Sequence, residues 1–291
     1  MKLFIIGGDG MIGHNLYKEL NNFFEVKITI KKSWDFYKNK NFFKKKDCYF
    51  DTDILNLDIL EKLIRSFNPN VVINAVGITK QRIDYNNVVN SIIINSNFPH
   101  SLTKLCLKNN SKLILLSSDC VFSGKKGNYR EVDEPDATDM YGITKILGEV
   151  IDDNVITLRK STIGLELNNS HGLIEWFLSQ NGIIKGYNKA IYSGLIVSEL
   201  ARFIKILINK HMNLSGIYNV SSEPISKFDL LIGLKERLKL NNLFIEPDDT
   251  FACDRSLNME NLNNITGYAP PKWNHMLDEF AKDILKKRDI R

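Results

Sequence analysis

The chain has 291 residues, enough for one large α/β domain or for one domain with a small second lobe. Hydrophobic residues make up 43% and charged residues 25% of the sequence, the ordinary balance of a soluble globular protein. The net charge of +5 comes from scattered basic residues, and the one basic cluster, at 31–46, is interpreted as a solvated loop, so nucleic acid is not an expected partner.

The first half of the sequence alternates short apolar runs with segments of helical periodicity. The apolar runs predict buried strands at KLFIIGG (2–8), EVKITIKK (25–32), VVINAVGI (71–78) and KLILLSSDCVF (112–122). Helices are predicted between them, at MIGHNLYKELNN (11–22), at ILNLDILEKLIRSFNPN (54–70), stopped by Pro69, and at NFPHSLTKLCLKNN (97–110). Strands that alternate with helices in this way predict βαβ units, and therefore an α/β fold with a Rossmann-like, doubly wound parallel sheet.

After about residue 165 the pattern loosens into loops, helices and a few short strands, such as SGIYNVSS (215–222). We therefore predict a Rossmann domain at 1–164 and a smaller lobe, mainly for substrate binding, at 165–291. The chain is expected to return to the sheet once or twice, for instance at NVITLRKSTIG (154–164).

The sequence indicates neither export nor membrane insertion. The segment MKLFIIGGDGMIG is too short and too interrupted by glycine for a signal peptide, and no apolar run reaches the ~18 residues of a membrane helix. The cysteines at 48, 106, 120 and 253 show no paired spacing, which favours free thiols in a reducing compartment and argues against a zinc site. We expect a cytoplasmic protein that binds no membrane and no metal.

The turn after the first strand carries three spaced glycines in GGDGMIG (7–13). Gly7 allows a tight turn, Gly10 lets the backbone approach a pyrophosphate, and Gly13 lets the helix pack closely on the strand. The helix that begins with Met11 and Ile12 would then offer its free N–H groups to phosphates. This spacing, directly after an N-terminal strand, predicts a dinucleotide-binding turn.

The second strand lacks the acidic residue that would hold a ribose 2′-hydroxyl. Lys31, Lys32 and Ser33 stand in its place, and two cations with a hydroxyl suit a 2′-phosphate. NADPH is therefore favoured over NADH. In the DTDI segment that follows, Asp53 and Ile54 could flank an adenine, and a plain loop role for Asp53 is the alternative.

The segment YGITK (141–145) places a tyrosine four residues before a lysine. On a helix this spacing puts Tyr141 and Lys145 on one face, one turn apart. Alone, the pair is an ordinary surface feature, and its meaning depends on the motifs that precede it.

Four motifs, GGDGMIG, NAVG (74–77), SSDCVF (117–122) and YGITK, occur in an order and at a spacing that resemble the extended short-chain dehydrogenase/reductase family. Within it, SSDCVFSGKKGNY followed by YGITKILGE is most similar to dTDP-4-dehydrorhamnose reductases, and above all to 4-reductases of the UDP-N-acetyl-L-rhamnosamine and N-acetyl-L-quinovosamine pathways. The resemblance spans the whole chain. It implies NADPH-dependent reduction of the C4 ketone of a nucleotide-linked 4-keto-6-deoxy-L-hexose, either a UDP-2-acetamido-2,6-dideoxy sugar or the dTDP-rhamnose equivalent.

The resemblance also implies roles for single residues. Tyr141 would give a proton to the carbonyl that receives hydride, while Lys145 would favour the phenolate and hold the nicotinamide ribose. Ser118 would hydrogen-bond the substrate oxygen, with Ser117 as the second choice. The remaining matched positions are Ala75, Val76 and Gly77 beside the cofactor and Thr79 near the sugar. Asn95 matches a family asparagine in the helix after the fourth strand, where a catalytic and a structural role are both open.

Related family members catalyse dehydration or epimerisation. Dehydratases carry Asp-Glu after the active-site Ser or Thr, whereas here Ser118 is followed by Asp119 and Cys120, so dehydration is disfavoured. In GDP-L-fucose synthase a similarly placed cysteine and a histidine in an NSH context epimerise C3 and C5 before reduction. Cys120 and His171 leave a bifunctional epimerase-reductase open, although Cys120 could simply pack beside the sugar and His171 cap a helix or bind diphosphate.

The substrate diphosphate would need cations, and Lys185 and Arg255 are the candidates, with surface salt bridges as the alternative. Trp176 and Tyr187 would line the pocket or pack in the core. Family members often dimerise through two helices per subunit, so the resemblance allows a homodimer. A non-catalytic dinucleotide-binding subunit is the alternative from another class, against which the intact set of Ser118, Tyr141 and Lys145 argues.

Overall fold

The computed structural model describes residues 1–40, 42–79, 87–168 and 172–289, with side chains of the last helix up to position 287. The strands are β1 (Lys2–Ile6), β2 (Glu25–Thr29), β3 (Cys48–Tyr49), β4 (Val71–Asn74), β5 (Lys112–Leu116), β6 (Val155–Lys160), β7 (Thr162–Ile163), β8 (Gly182–Tyr192), β9 (Leu195–Ile196), β10 (Gly216–Val220), β11 (Ile225–Ser226) and β12 (Leu243–Asp254). The helices are α1 (Met11–Leu20), α2 (Trp34–Tyr37), α3 (Leu57–Phe67), α4 (Val88–Ser91), α5 (Phe98–Lys108), α6 (Met140–Leu147), α7 (Leu173–Leu178), α8 (Val197–Lys210), α9 (Lys227–Arg237), α10 (Glu260–Thr266) and α11 (Trp273–Asp289).

The largest sheet has seven strands in the order β10-β6-β5-β4-β1-β2-β3. Strands β1 to β6 pair in parallel, and in β1 Ile5 lies between Ile28 of β2 and Ile73 of β4. The chain first builds outward from β1 to β3 and then returns to the other side of β1 for β4. This reversal confirms the predicted Rossmann-like, doubly wound sheet and creates a switch point between β1 and β4.

All four predicted strands end earlier than their apolar runs predict, and after β4 and β5 polar side chains take over the backbone bonds. After β4, the N–H of Val76 donates to the side-chain oxygen of Asn74 (3.1 Å) rather than to the sheet. After β5, the N–H of Cys120 donates to Ser118 Oγ (3.1 Å), and a 3₁₀ turn begins at Asp119. Asn and Ser side chains compete with the sheet for backbone hydrogen bonds in this way, and the pairing of β4 and β5 ends where these residues occur.

Helix α3 shows how the predicted helices are bounded. The side chain of Asn56 accepts from the N–H of Ile59 (3.1 Å) and caps the first turn. Asn68 then adopts a left-handed φ of 52° and closes the helix just before Pro69, as the proline predicts. Between these caps, Leu60 and Ile64 face the sheet and are fully buried.

The core of this layer lies between the sheet and helices α3 and α5. Phe4 and Leu113 of the sheet meet Ile64 of α3 and Leu102 of α5, all of them fully buried. Each such side chain contributes ~1.5–3 kcal/mol on leaving water. The helix before α5 includes a π-helical stretch at Ile92–Asn97, and α6 packs against that stretch.

The chain forms two compact units, each made of several segments. The first comprises Met1–Ser117, Asp139–Leu158 and Ala201–Ile217, and the second comprises Ser118–Thr138, Arg159–Leu200 and Tyr218–Arg291. Within the second unit, β8 pairs in parallel with β12 and antiparallel with β11, and α9 packs on β8. The division at 164/165 into cofactor-binding and substrate-binding parts stays a prediction. No helix in the described ranges is long and apolar enough to cross a bilayer.

The basic cluster at 31–46 is more ordered than a solvated loop. It contains the short helix α2, and Tyr37 and Phe43 are buried with their ring centroids 5.1 Å apart. The ammonium of Lys40 lies 4.0 Å from the ring centroid of Phe36, a cation–π contact. The interpretation as a solvated loop considered only the charged residues of this segment. Its aromatic side chains form a small apolar cluster that packs against the lysine side chains.

Gly148 allows α6 to end against the π-helical stretch. A Cβ at this position would overlap the carbonyl oxygen of Asn95, which is backbone and cannot rotate away. Gly77 also faces Asn95, but a Cβ there would lie 3.5 Å from its side-chain oxygen, an ordinary contact. Only one of these two glycines is therefore required by sterics.

We predict that Gly148→Ala lowers the free energy of unfolding by ~1–3 kcal/mol or more, the usual cost of overpacking a core. The control, Gly77→Ala, should change it by less than ~1 kcal/mol, because no atom has to move. Urea unfolding followed by circular dichroism measures both. Equal stabilities of the two variants would contradict the steric argument.

Candidate functional site

The glycine turn at the carboxyl end of β1 is built without room for side chains. Gly7 has a φ of +86°, and its N–H donates to Thr29 Oγ1 at the end of β2 (3.0 Å). The N–H of Gly10 donates to the carbonyl of Gly7 (3.1 Å), and a Cβ on Gly13 would overlap that same oxygen. No described side chain caps α1, which begins at Met11. The first N–H groups of this helix, including that of Ile12, are thus free of a side-chain cap, as at helix ends that bind anions.

The NAVG segment after β4 lies directly against this turn. The N–H of Ala75 donates to the carbonyl of Ile6 (3.0 Å). A Cβ on Gly7 would lie 2.7 Å from the Val76 side chain, so only glycine allows the approach. The two motifs therefore meet at the switch point between β1 and β4, where open α/β sheets bind their ligands.

The end of β2 presents exposed cations beside the glycine turn. Lys31 and Lys32 are exposed, and Ser33 precedes α2. The backbone N–H of Lys31 donates to the carboxylate of Asp9 (3.2 Å), which ties the strand end to the turn. Sequence reasoning missed Asp9, although it lies inside the GGDG turn.

The two residues predicted to flank an adenine have different surroundings. The exposed carboxylate of Asp53 accepts from the N–H of Leu55 (3.0 Å) and thereby stabilises a local turn. Ile54 packs against the buried core of the first unit.

Asn95 joins three segments from a position that is only 1% exposed. Its side-chain oxygen accepts from the N–H of Ile78 (2.9 Å), and its amide donates to the carbonyl of Ile78 (3.0 Å) and to Thr144 Oγ1 in α6 (3.1 Å). These bonds anchor the segment that leads to Thr79, which is half-buried. The contacts favour the structural role that the sequence left open for Asn95.

Helix α6 carries the Tyr-Lys pair, as its sequence predicts. Asp139 caps the helix by accepting from the N–H of Gly142 (3.0 Å). Tyr141 is half-buried, and Lys145, one turn later on the same face, is 9% exposed. The Lys145 ammonium donates to the carbonyl of Leu116 (2.9 Å), the last residue of β5. A nearly buried cation is thus held at the carboxyl edge of the sheet, one helical turn from a phenol.

The two adjacent serines after β5 have different partners. Ser117 Oγ donates to the carboxylate of Glu149 (2.7 Å), so its hydroxyl is directed to the end of α6. Ser118 Oγ donates to Asp119 Oδ1 (3.1 Å) and accepts from the N–H of Cys120 (3.1 Å). Ser118 starts the 3₁₀ turn, and this difference supports it over Ser117 as the substrate-binding serine.

Two substrate candidates of the second unit lie together. Arg255 donates through Nε to the carbonyl of Phe122 (2.8 Å), and its Nη1 lies 3.7 Å from the sulfur of Cys120. His171, the other member of the proposed epimerising pair, lies outside the described residues. Of the two residues proposed for epimerisation, the structure therefore describes only Cys120.

The other substrate candidates are on exposed surfaces. The Lys185 ammonium lies 3.8 Å from the carboxylate of Asp248, with 70% of its side chain exposed, an ion pair of small energetic weight. Tyr187 is exposed and contacts the ring of Phe251 at 5.3 Å between centroids. Trp176 of α7 is also exposed.

Sequence reasoning missed a group of ionisable side chains in the second unit. Burial lowers the pKa of Lys160 to about 8, against the opposing effect of Asp119, and lowers the pKa of Lys227 in the same way. Burial also raises the pKa of Tyr192 well above its usual value. The signal available in the sequence was Lys160 at the end of VITLRK (155–160), a predicted return of the chain to the sheet. In the part of the chain that the structure describes, no set of three His, Cys, Asp or Glu side chains is arranged to hold a metal ion.

Comparison with known proteins shows the family to which the chain belongs. A family model described as the RmlD substrate binding domain matches residues 1–285. A dTDP-4-dehydrorhamnose reductase of Aggregatibacter actinomycetemcomitans is 29% identical over 246 residues, which are 80% of this chain and 78% of the relative. The methionine adenosyltransferase 2 subunit beta of Bos taurus is 26% identical over 267 residues, 84% of this chain and 75% of the relative.

Solved structures share the fold. A dTDP-4-dehydrorhamnose reductase from Bacillus anthracis in complex with NADP superposes with a TM-score of 0.79 at 21% identity, over 97% of this chain and 99% of that one. A UDP-glucose 4-epimerase from Thermotoga maritima, with UDP-glucose, gives a TM-score of 0.80 at 17% identity, over 99% and 100% of the two chains. At these identities the likeness concerns the fold alone.

We predict that Asn95→Ala lowers the free energy of unfolding by ~2–4 kcal/mol, because it leaves buried backbone groups of Ile78 unpaired at ~1–3 kcal/mol each. Asn109→Ala is the matched control, since Asn109 donates a single bond to the carbonyl of Leu105 (2.8 Å) in a half-buried position. It should cost about 1 kcal/mol. Chemical denaturation of both variants checks this, and similar losses would refute the anchoring role.

Proposed function

The chain belongs to the RmlD substrate binding domain family, and on that premise we propose that it is an NADPH-dependent 4-ketoreductase of nucleotide-linked 4-keto-6-deoxy sugars. The observation that carries the proposal is the Lys145 ammonium, nearly buried on the Leu116 carbonyl and one helical turn from Tyr141. Burying an ammonium costs solvation free energy, so a lysine held in such a position indicates a specific purpose. Stabilising a phenolate and a bound ribose is such a purpose.

Each residue has a separate part in the reaction. When bound, NADPH supplies the hydride. Tyr141 gives a proton to the oxygen of the reduced carbonyl, and the positive charge of Lys145 stabilises the phenolate that remains. Ser118 orients the carbonyl oxygen, and for this its hydroxyl proton turns from Asp119 to the substrate. A positioned proton donor of this kind contributes ~10²–10⁴-fold to the rate.

The cofactor would bind at the glycine turn, with NADPH preferred over NADH. Gly7, Gly10 and Gly13 leave the backbone open to a pyrophosphate, and the exposed ammoniums of Lys31 and Lys32 suit the charge of a 2′-phosphate. A solved dTDP-4-dehydrorhamnose reductase of the same fold contains NADP, which supports this choice.

The sugar would be a UDP-2-acetamido-2,6-dideoxy-4-keto-L-hexose, reduced to UDP-N-acetyl-L-rhamnosamine, or its dTDP-linked equivalent. The motif SSDCVFSGKKGNY supports the UDP-sugar branch, and the 29% identical relative named dTDP-4-dehydrorhamnose reductase supports the dTDP branch. NADPH oxidation against both ketones, with product stereochemistry assigned by NMR, separates them.

A non-catalytic dinucleotide-binding subunit is the second candidate. It is favoured by relatives named methionine adenosyltransferase 2 subunit beta, a name that describes a subunit. Such a protein would bind NADPH without oxidising it in the presence of either ketone. The same assay therefore decides between the two candidates.

Tyr141→Phe should lower kcat by ~10²-fold or more while leaving NADPH affinity nearly unchanged, because only the proton donor is removed. Tyr218→Phe is the control, since the Tyr218 hydroxyl has no hydrogen-bond partner among the described residues. Stopped-flow turnover and fluorescence titration of NADPH measure the two quantities. A Tyr141→Phe variant that keeps more than about a third of the wild-type kcat would rule out the assignment.

For the wild type we expect a higher kcat/KM with NADPH than with NADH, by at least ~10-fold, the scale of a charge-assisted hydrogen bond. Lys31→Asp should remove most of that preference, because it places a carboxylate beside the 2′-phosphate. Lys18→Asp, the same charge change at an exposed position of α1, should leave it intact. Equal kinetics with both cofactors in the wild type would argue against the 2′-phosphate site.

A further inference from the structure

The basic cluster at 31–46 includes a surface that the proposed chemistry does not use. Lys31 and Lys32 belong to the proposed cofactor site, and the residues after them have no part in it. The exposed side chains among these later residues are here called the basic-aromatic surface and comprise Phe36, Lys40, Phe42, Lys44, Lys45 and Lys46. All of them belong to the first compact unit.

Buried aromatic side chains hold this surface on helix α1. Tyr37 is 1% exposed, and its ring centroid lies 4.9 Å from that of Phe36 and 5.1 Å from that of Phe43. Phe43 packs in turn on Tyr17 of α1, with 5.8 Å between centroids. The N–H of Lys44 donates to the Tyr17 hydroxyl (3.3 Å). The chain on either side of the exposed residues is therefore packed against α1.

The surface combines positive charge with exposed apolar area. The Lys40 ammonium lies 4.0 Å from the ring centroid of Phe36, and the Lys45 ammonium lies 5.5 Å from that of Trp34. Both rings belong to the short helix α2, so the two lysines lie beside the same helical turn. The side chain of Phe36 is 41% exposed and that of Phe42 is 44% exposed. Cation–π contacts thus keep ammoniums next to rings that solvent also reaches.

The carboxylates of this segment do not neutralise its lysines. Asp47 is 9% exposed, and it accepts from the buried hydroxyl of Tyr17 (2.9 Å), so its charge is directed inward. Asp35 pairs with Lys38 (3.1 Å). The three lysines at 44–46 are exposed, and none of them forms a salt bridge with a residue that the structure describes. An excess of positive charge remains, which an anionic partner would complement.

We propose that the basic-aromatic surface associates with an anionic phospholipid bilayer, with Phe36 and Phe42 in the interface and the lysines at the level of the headgroups. Exposed rings beside ammoniums fit this boundary, because anionic headgroups and acyl chains meet there. The segment 31–46 contains no arginine, the side chain that binds phosphate through two parallel N–H groups and stacks on bases. Single-stranded nucleic acid, another polyanion, is therefore the less suitable partner. This association departs from the expectation that the protein binds no membrane.

Co-sedimentation of the full chain with vesicles tests the proposal. Vesicles of equal parts phosphatidylglycerol and phosphatidylcholine should bind the protein, whereas vesicles of phosphatidylcholine alone should not, because they carry no net surface charge. The double variant Lys44→Gln, Lys45→Gln should weaken binding by ~10-fold or more, since each lysine near an anionic surface contributes about fivefold. The control, Lys62→Gln, Lys104→Gln, removes the same charge from exposed positions of α3 and α5 and should bind as the wild type does.

Phe42→Ser tests the aromatic part of the surface separately. It should weaken binding by ~3-fold or more, because less apolar area leaves water. This loss should persist as salt is raised, whereas the loss caused by the lysine variant should shrink, since salt screens only the charges. Leu107→Ser is the control, because Leu107 is also 44% exposed and lies on α5. Equal binding of these two variants would overturn the proposal, because charge alone does not distinguish a bilayer from other polyanions.

Three further outcomes would overturn it. The first is a wild type that binds neither kind of vesicle, and the second is an equal loss in both double lysine variants. The third is binding of poly(dT) in place of vesicles, measured by fluorescence titration and lost in the variant at 44 and 45, since the surface would then contact nucleic acid. All substituted side chains are exposed, so urea unfolding followed by circular dichroism should show every variant folded like the wild type.

Discussion

Strand β1 is paired on both sides, by β2 and by β4, and the first unit is organised around that constraint. A strand buried in this way can lead to a ligand only at its ends, and parallel neighbours bring their carboxyl ends to the same edge. The GGDGMIG turn and the NAVG segment meet there because Gly7 has no side chain. A Cβ at this position would lie too close to the Val76 side chain. The proposed cofactor site is a consequence of this contact.

The same edge is completed by bonds that tie helices to strand ends. Asn95 connects the segment after β4 with Thr144 of α6, and Lys145 of the same helix reaches the last carbonyl of β5. Gly148 lets this helix end against the Asn95 backbone. The proposed catalytic pair therefore depends on side chains that would never contact the substrate, and their loss should appear first as a loss of stability.

The second unit raises a different physical question, because it buries polar groups without pairing them. The hydroxyl of Tyr192, which has no hydrogen-bond partner among the described residues, and the half-buried ammoniums of Lys160 and Lys227 are unfavourable in an isolated fold. The exposed ion pair of Lys185 and Asp248 shows the contrast, since solvent screens it and little depends on it.

Much about this protein was determined by its sequence alone. The alternation of apolar runs and helical segments predicted the Rossmann-like sheet, and the four ordered motifs predicted the family, which the match over residues 1–285 confirms. The end of α3 before Pro69 and the helical pairing of Tyr141 with Lys145 were also predicted, because they depend on neighbours within a few residues. Such patterns can be interpreted from the sequence because the interacting residues are close together in the chain.

Only the tertiary structure decided which distant groups meet. Nothing near Asn95 in the sequence indicates that its amide binds Ile78 and Thr144, and nothing near Lys227 indicates that it lies on the ring of Tyr192. The aromatic packing of the 31–46 segment and the early ends of β4 and β5 were missed for a related reason. Burial, and with it the pKa of Lys160, depends on elements far apart in the chain that pack together, and periodicity does not record which elements those are.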